Sequence, residues 1–412
     1  VSEAAPAGLA GALPARRLGA ALFAMAVGSF AIGTTEFATM GLLPRIAADF
    51  GATLPEAGHL VSAYALGVVV GAPLIVLALP RTPRTGMLVG LAVALALGNA
   101  FSALAPTMPT VLVARFVAGL PHGAYFGIAA VVAAAISPPQ RRGRSVSLVM
   151  VGLTVATTLG VPVSTALGQG VGWRAAYWLV TVVALLAAVA IWRWVPPVAV
   201  RAGATARREL SALRSPQLWL AVATGAIGFG GMFAVYSYIT PTMTDVAGIA
   251  ESQVPWVLAL FGAGMTVGTV LGGRLADRSI FGAIFTGLAA MAVTLALFGA
   301  GATGPARAVL LVVFVAVASQ FIGPALQTRL LDVSREGPSL GAALHHSALN
   351  IGNALGAWVG GVVIAAGYGL LAPAWAGSVL AVAGLGLAVV SWALERRAGA
   401  PARFGQAIEP TA

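Results

Sequence analysis

An all-α integral membrane protein built from twelve transmembrane helices is the fold this sequence predicts. Only 8% of its 412 residues are charged, while 59% are hydrophobic and the mean hydropathy is +0.94; a soluble domain is roughly 45–50% apolar. The charges fall between long apolar stretches, and runs near ~20 residues, enough to cross a ~30 Å hydrocarbon core, recur along the chain. A membrane β-barrel would instead show alternation over segments of about ten residues.

Short charged or proline-bearing interruptions give the helices in turn. The first, 18–43, follows Arg16 and Arg17; the next three, 58–79, 86–105 and 109–136, are set apart by Arg81, Arg84 and Pro109. Arg141, Arg142 and Arg144 precede a fifth at 145–167, and Arg174 precedes the sixth at 175–195. The polar stretch from Pro196 to Ser215 then divides the spans six and six. Beyond it lie 216–240, 254–275, 280–302, 308–330, 339–366 and 373–394. The predicted organisation is a tail (1–17), a six-helix bundle (18–195), a central loop (196–215), a second six-helix bundle (216–394) and a closing tail (395–412). The first apolar segment is too long for a signal-peptide core, so it is expected to remain as the first helix.

All 23 basic residues are arginine. If the N-terminus is cytoplasmic, only Arg45, Arg174 and Arg307 fall on the far side and Arg115 within a span; every other arginine is cytoplasmic. That is the positive-inside pattern, and it accounts for the formal net charge of +11. A basic balance can also signal nucleic acid, but these arginines are scattered over short loops and give no such patch. Both termini are then expected on the cytoplasmic side of the membrane. The absence of cysteine excludes disulfides and thiol chemistry.

The two halves align without a gap at an offset of about 197 residues. Pro44 falls on Pro241, Gly51 on Gly248, Gly67 on Gly264, Gly71 on Gly268, Arg81 on Arg278, and Tyr64 on Phe261. Glycine matches arise readily by chance in such a composition, so the proline and arginine matches carry more. A tandem six-helix repeat points to a transporter with its substrate site near the midplane between the repeats.

Several local motifs narrow this. The first helix carries Gly33-Thr34-Thr35-Glu36-Phe37, then Gly41-Leu42-Leu43-Pro44 and Ile46-Ala47-Ala48-Asp49. Tyr64-Ala65-Leu66-Gly67 through Gly71-Ala72-Pro73 and Gly172-Trp173-Arg174 follow. With these the chain resembles the major facilitator superfamily over residues 18 to 394. It is most similar to the twelve-helix drug:H⁺ antiporter branch, with its arabinose-efflux-like, purine-efflux-like and chloramphenicol-resistance-like permeases. The resemblance implies a monomeric exporter working by alternating access. It also implies a conformational latch at the loops after the second and eighth helices. The second copy is well formed as Gly273-Arg274-Leu275-Ala276-Asp277-Arg278; the first keeps Arg81 and Arg84 but has Pro80 at the aspartate position. The latch is therefore expected to be asymmetric and to rest on Asp277, unless these loops only set topology. The branch's Gly/Pro-rich fifth-helix motif is matched in part, with Gly160-Val161-Pro162 where a direct Gly-Pro is usual.

An ionisable group inside a membrane costs a few kcal/mol or more. Glu36 is the one acid read inside a span. It lies seven residues before Leu43, about 10 Å from the outer end of its helix, and Arg115 lies six residues after Pro109, about 9 Å from the same surface. In the family fold the first and fourth helices are neighbours, so the two are expected to meet at matching depth. The arginine of an Arg-x-x-x-Gly element, here Arg115 and Gly119, is linked by the resemblance with proton transfer. Gly119 and Gly123 continue a small-residue stripe suited to close helix approach. Two readings stand: a carboxyl whose protonation answers to Arg115 and substrate, or a static ion pair ordering two helices. His122 is either a relay or a packing residue. His346, Asn350 and Asn353 form a polar stripe on the eleventh helix that either lines the cavity or ties helices together. Phe37, Tyr125, Phe233 and Tyr236 are candidates for an aromatic cavity wall. Tyr64 and Asn99 read as packing.

The leading expectation is a proton-coupled exporter of small organic molecules such as drugs. Sugar or nucleoside export, or an uncoupled facilitator or uptake permease with a structural Glu36, are the alternatives. A membrane enzyme would need clustered acids, histidines or cysteines, and ATP-driven transport a phosphate loop; neither pattern occurs. No metal or cofactor is called for.

Overall fold

The computed structural model describes residues 13–79, 82–198, 212–334 and 338–397. Among them twelve helices are long and apolar enough to cross a membrane. They are α1 (Ala15–Asp49), α2 (Leu54–Ile75), α3 (Arg84–Leu104), α4 (Met108–Ala135), α5 (Pro139–Val171) and α6 (Trp173–Trp194), followed by α7 (Pro216–Tyr236), α8 (Glu251–Arg278), α9 (Ile280–Gly301), α10 (Pro305–Val333), α11 (Leu340–Ala365) and α12 (Ala372–Arg397). Each matches a sequence-predicted span. Helix α1 runs longer than expected, continuing past Pro44 inside it through Arg45, whose contacts are described below. We call the side holding Ala15 and Arg397 the basic side, and the other the opposite side.

Prolines set the irregularities. Pro121 divides α4 into Met108–Gly119 and His122–Ala135. In α5 the turn before Pro162, Ala156–Gly160, is wound as a π-helix. Proline offers no N–H to the preceding turn, and a widened turn is one way a helix absorbs that loss. Past α7 the chain makes a short turn, Ile239–Pro241, and a second π segment, Thr242–Val246.

Packing within the halves follows one plan. Helix α1 lies against α5 and α6, α2 against α4, and α3 against α6. Advancing every label by six gives α7 against α11 and α12, α8 against α10, and α9 against α12, which are the pairs found in the second half. The glycine matches discounted above carry this plan. A Cβ on Gly67 or Gly71 would strike the carbonyls of Phe116 and Leu120 in α4. On Gly264 or Gly268 it would meet the carbonyls of Val313 and Val317 in α10, which are the repeat counterparts of those residues. Without a side chain at these positions the helix backbones come into direct contact, the usual basis of helix association in lipid.

The most extensive contacts between the halves are α2 with α11 and α5 with α8, and the six-helix shift exchanges them. On the opposite side the junction is sealed. Arg45 donates through Nε and Nη2 to both carboxylate oxygens of Glu251, at 2.6 and 3.2 Å, and through Nη1 to the Gln169 carbonyl at 2.8 Å. Gln169 Nε2 donates to the Glu251 carbonyl at 2.9 Å. Nearby, Thr240 donates to the carbonyls of Met40 and Gly41. Ser62 bonds the Ala354 carbonyl at mid-depth. Among the described residues, no hydrogen bond or ion pair joins the halves on the basic side.

The Arg45–Glu251 side chains are 39% and 46% exposed, so the pair is worth at most about 1 kcal/mol. Glu251→Ala should therefore raise the population open on the opposite side by up to about fivefold. With no native cysteine, thiol labelling of a Ser237→Cys reporter, buried three residues before the Thr240 that bonds across the junction, measures it. Unchanged labelling would show that the pair does not hold the seal.

Candidate functional site

The middle of α1 is buried on every face, and residues 34 to 37 point to different neighbours. Thr34 turns back on its own helix, donating to the Phe30 carbonyl. Thr35 turns outward: its hydroxyl donates to Asn99 Oδ1 of α3 at 2.5 Å and accepts from Arg115 Nη1 at 2.9 Å. Arg115 Nη2 donates to the Thr35 carbonyl at 3.0 Å. The guanidinium, wholly buried, also lies over Tyr64 at 4.4 Å and near Tyr177 at 5.3 Å; such faces attract a cation. Tyr177 in turn pairs its hydroxyl with Thr39 of α1 at 2.9 Å.

Arg115 thus reaches α1 at the predicted depth but grips Thr35, one residue short of Glu36. No ion pair between Glu36 and Arg115 forms within 4.0 Å. Glu36, 7% exposed, makes no hydrogen bond within the accepted geometry, while Asn353 of α11 lies close enough to act on its charge. Neither polar atom of Asn353 has a hydrogen-bond partner, nor does Asn350 Oδ1; Asn350 Nδ2 donates to the His346 carbonyl. The carboxyl thus has the Asn353 amide as its polar neighbour and no ion-pair partner.

The other predicted residues divide into two clusters and a remainder. Phe37 stacks on Phe233 of α7 at 6.1 Å and meets the edge of Tyr236 at 5.7 Å. Tyr236 stacks on Phe261 of α8 at 4.1 Å. Nearer the basic side, His122 Nδ1 and the Tyr64 hydroxyl are 3.1 Å apart, and His122 and Phe126 both contact His346 across the halves, the latter stacked at 4.9 Å. Tyr125 meets the edge of Phe126 at 6.2 Å but donates its hydroxyl to the Met25 carbonyl and fills the space beside Gly28, binding α4 to α1. Gly119 admits the Tyr64 carbonyl, Gly123 admits Ala72, and Gly160 admits Thr34 and Phe30, with Pro162 just beyond in α5. Among the latch residues, Arg81 lies outside the described residues. Arg84 reaches Met87 Sδ, and Gly273, Asp277 and Arg278 end α8 on the basic side. Asp277 has no ion-pair partner among the described residues. No group of three or more His, Cys, Asp or Glu side chains suited to a metal occurs among the described residues.

Thr35, Asn99, Tyr64 and Tyr177 belong to this site, though the sequence reading assigned them no role or a packing one. The available signal was Asn99, a lone amide in an apolar span, which calls for an explanation in lipid.

A sequence profile of the Major Facilitator Superfamily matches residues 25–341. The inner membrane transport protein YdhP of Escherichia coli (strain K12) is 38% identical over 348 residues, 84% of this chain and 90% of that protein. A chloramphenicol resistance protein of Streptomyces lividans is 37% identical over 362 residues, 85% of this chain and 91% of that protein. The fold is similar to that of a bacterial homolog of the human lysosomal transporter Spinster, crystallised inward-facing and occupied. The TM-score is 0.67 at 17% identity, covering 92% of this chain and 96% of that one.

The Thr35 hydroxyl bridges a buried cation and a buried amide, so Thr35→Val, nearly the same shape, leaves both short of a partner. The expected cost is roughly 1–3 kcal/mol, read as a lower thermal midpoint of purified protein in detergent. An unchanged midpoint would mean the bridge does not stabilise the fold.

Proposed function

The chain belongs to the Major Facilitator Superfamily, a family of membrane transporters and not of enzymes, and from that premise we propose that it is a proton-coupled exporter of small organic molecules. Secondary transport follows from the family; the proton and the outward direction are the proposal. The observation that carries it is Glu36, a buried carboxyl midway along its span with no ion pair and with only the Asn353 amide in reach of it. A purely structural acid would be expected to hold a partner, because an unpaired buried charge is expensive. This favours coupling over an uncoupled facilitator.

In this reading the basic side is cytoplasmic, in a bacterial inner membrane, and the described state is closed to the outside by the Arg45–Glu251 seal. The bundles 18–195 and 216–394 rock about the central space. Arg115, anchored on Thr35 80 positions away along the chain, sets the field at Glu36. Protonation of Glu36 from outside accompanies substrate release, and deprotonation toward the cytoplasm accompanies loading. Asp277, which has no ion-pair partner among the described residues, acts as the cytoplasmic latch in the alternate state. The name of the Streptomyces lividans relative supports drug-like substrates; sugars and nucleosides remain in the same reading.

The test is proton release on adding chloramphenicol to detergent-purified protein in weak buffer. The wild type is expected to release protons on binding, and Glu36→Gln to bind without release. Binding by both with release by neither would overturn the coupling and leave an uncoupled carrier.

A further inference from the structure

Helix α11 turns three faces to three neighbours. Ile351, Ala354, Leu355 and Trp358 line a groove shared with α2, and Gly352 and Gly356 lie against the backbone of α7. At 100° per residue the stripe of His346, Asn350 and Asn353 falls between those faces, toward the centre and Glu36. Asn353 is fully buried and Asn350 97% so, since they are 0% and 3% exposed, yet three of their four amide atoms make no well-aligned hydrogen bond, and the one polar group in reach of Asn353 is the Glu36 carboxyl. A buried amide without a partner costs roughly 1–3 kcal/mol, so its retention suits a group that is completed by a ligand.

The repeat explains why a ligand would be recognised from one direction. Asn350 and Asn353 correspond to Leu153 and Ala156 in α5, and Glu36 to Phe233 in α7. Polar groups therefore converge from α1 and α11. The aromatic rings of Phe37, Phe233, Tyr236 and Phe261 close the neighbouring wall. A free carboxamide presents an N–H donor beside a carbonyl acceptor, the edge that pairs twice with an acceptor–donor edge on a flat partner.

We propose that Asn353, with Asn350 beside it, is the specificity-determining subsite for uncharged planar substrates that present an adjacent hydrogen-bond donor and acceptor, as a carboxamide or a ring lactam does. This rests on the central space being the substrate site, as proposed above, but not on proton coupling.

The experiment is calorimetric binding to the full-length protein in detergent. The probes are nicotinamide (carboxamide), uracil (ring lactam), methyl benzoate (flat, acceptor only) and arabinose (hydroxyls, not flat). Nicotinamide or uracil is expected to bind the wild type, with methyl benzoate and arabinose weaker. Asn353→Ala should weaken the favoured probe about tenfold or more, and Asn350→Ala should weaken it less. The thermal midpoint of Asn353→Ala is expected to hold or rise, because an unpartnered amide is removed. A structural amide would instead lower it. Comparison of nicotinamide with uracil tells which source of the edge is used. The proposal is overturned if neither carboxamide nor lactam binds, if methyl benzoate or arabinose binds as well, or if Asn353→Ala binds like wild type. Binding lost in Asn353→Ala, with no proton release in wild type, would sink the coupling and keep the subsite.

Discussion

A guanidinium sealed from water must be held by oxygen atoms and ring faces alone, and the middle of the first six helices is arranged around that requirement at Arg115. Two of its nitrogens bond to one residue, Thr35, through hydroxyl and carbonyl, and Tyr64 and Tyr177 face the charge. Those partners come from α1, α2 and α6, while Asn99 of α3 fixes the hydroxyl's direction. One cation therefore ties together five helices of the bundle, including its own. A direct ion pair with Glu36 would have neutralised the cation more completely, but it would also have fixed the carboxyl. Holding Arg115 one residue away leaves its field on Glu36 and its hydrogen bonds elsewhere.

The two halves share a scaffold and differ in chemistry. Glycine contacts recur at Gly67 and Gly71 and again at Gly264 and Gly268, against counterpart carbonyls. These positions set how closely backbones approach, which rigid-body motion of a bundle requires to stay constant. The central positions have diverged: Glu36 against Phe233, Arg115 against Val312, Asn353 against Ala156. Backbone packing tolerates no side chain at the glycines, whereas the cavity tolerates any group that the bilayer's cost can justify. The symmetry of the frame and the asymmetry of its lining have separate physical origins.

The sequence disclosed what the bilayer makes conspicuous. Twelve spans, the side bearing the arginines and the one acid at mid-membrane all stand out because hydrocarbon penalises departures so heavily. Depth was equally legible, since rise per residue is fixed, and it brought Arg115 to within one residue of its contact. Direction was not. Successive helix residues point 100° apart, so Thr35 and Glu36 serve different neighbours, and depth alone cannot choose between them. Threonine adds its own ambiguity, because its hydroxyl can satisfy itself on the preceding turn. Thr34 does so and Thr35 does not. Tyr125, read as a wall of the cavity, instead fills the space beside Gly28, a choice made by the bend at Pro121 and the facing helix.

The seal on the opposite side and the free carboxyl at the centre are matched in scale. An exposed pair such as Arg45–Glu251 contributes about 1 kcal/mol or less, so the closed state is held by a sum of small contacts and not by one strong bond. An equilibrium of that kind moves when an occupant binds one state better than the other by a comparable amount. Glu36, with no ion pair and Asn353 as its polar neighbour, would in the proposed transport cycle take its energy from whatever stands beside it. In that cycle, a change of occupant there alters the balance by an amount that a weak seal can register. A strong ion pair in either place would have made the protein more rigid and less able to exchange one occupant for another.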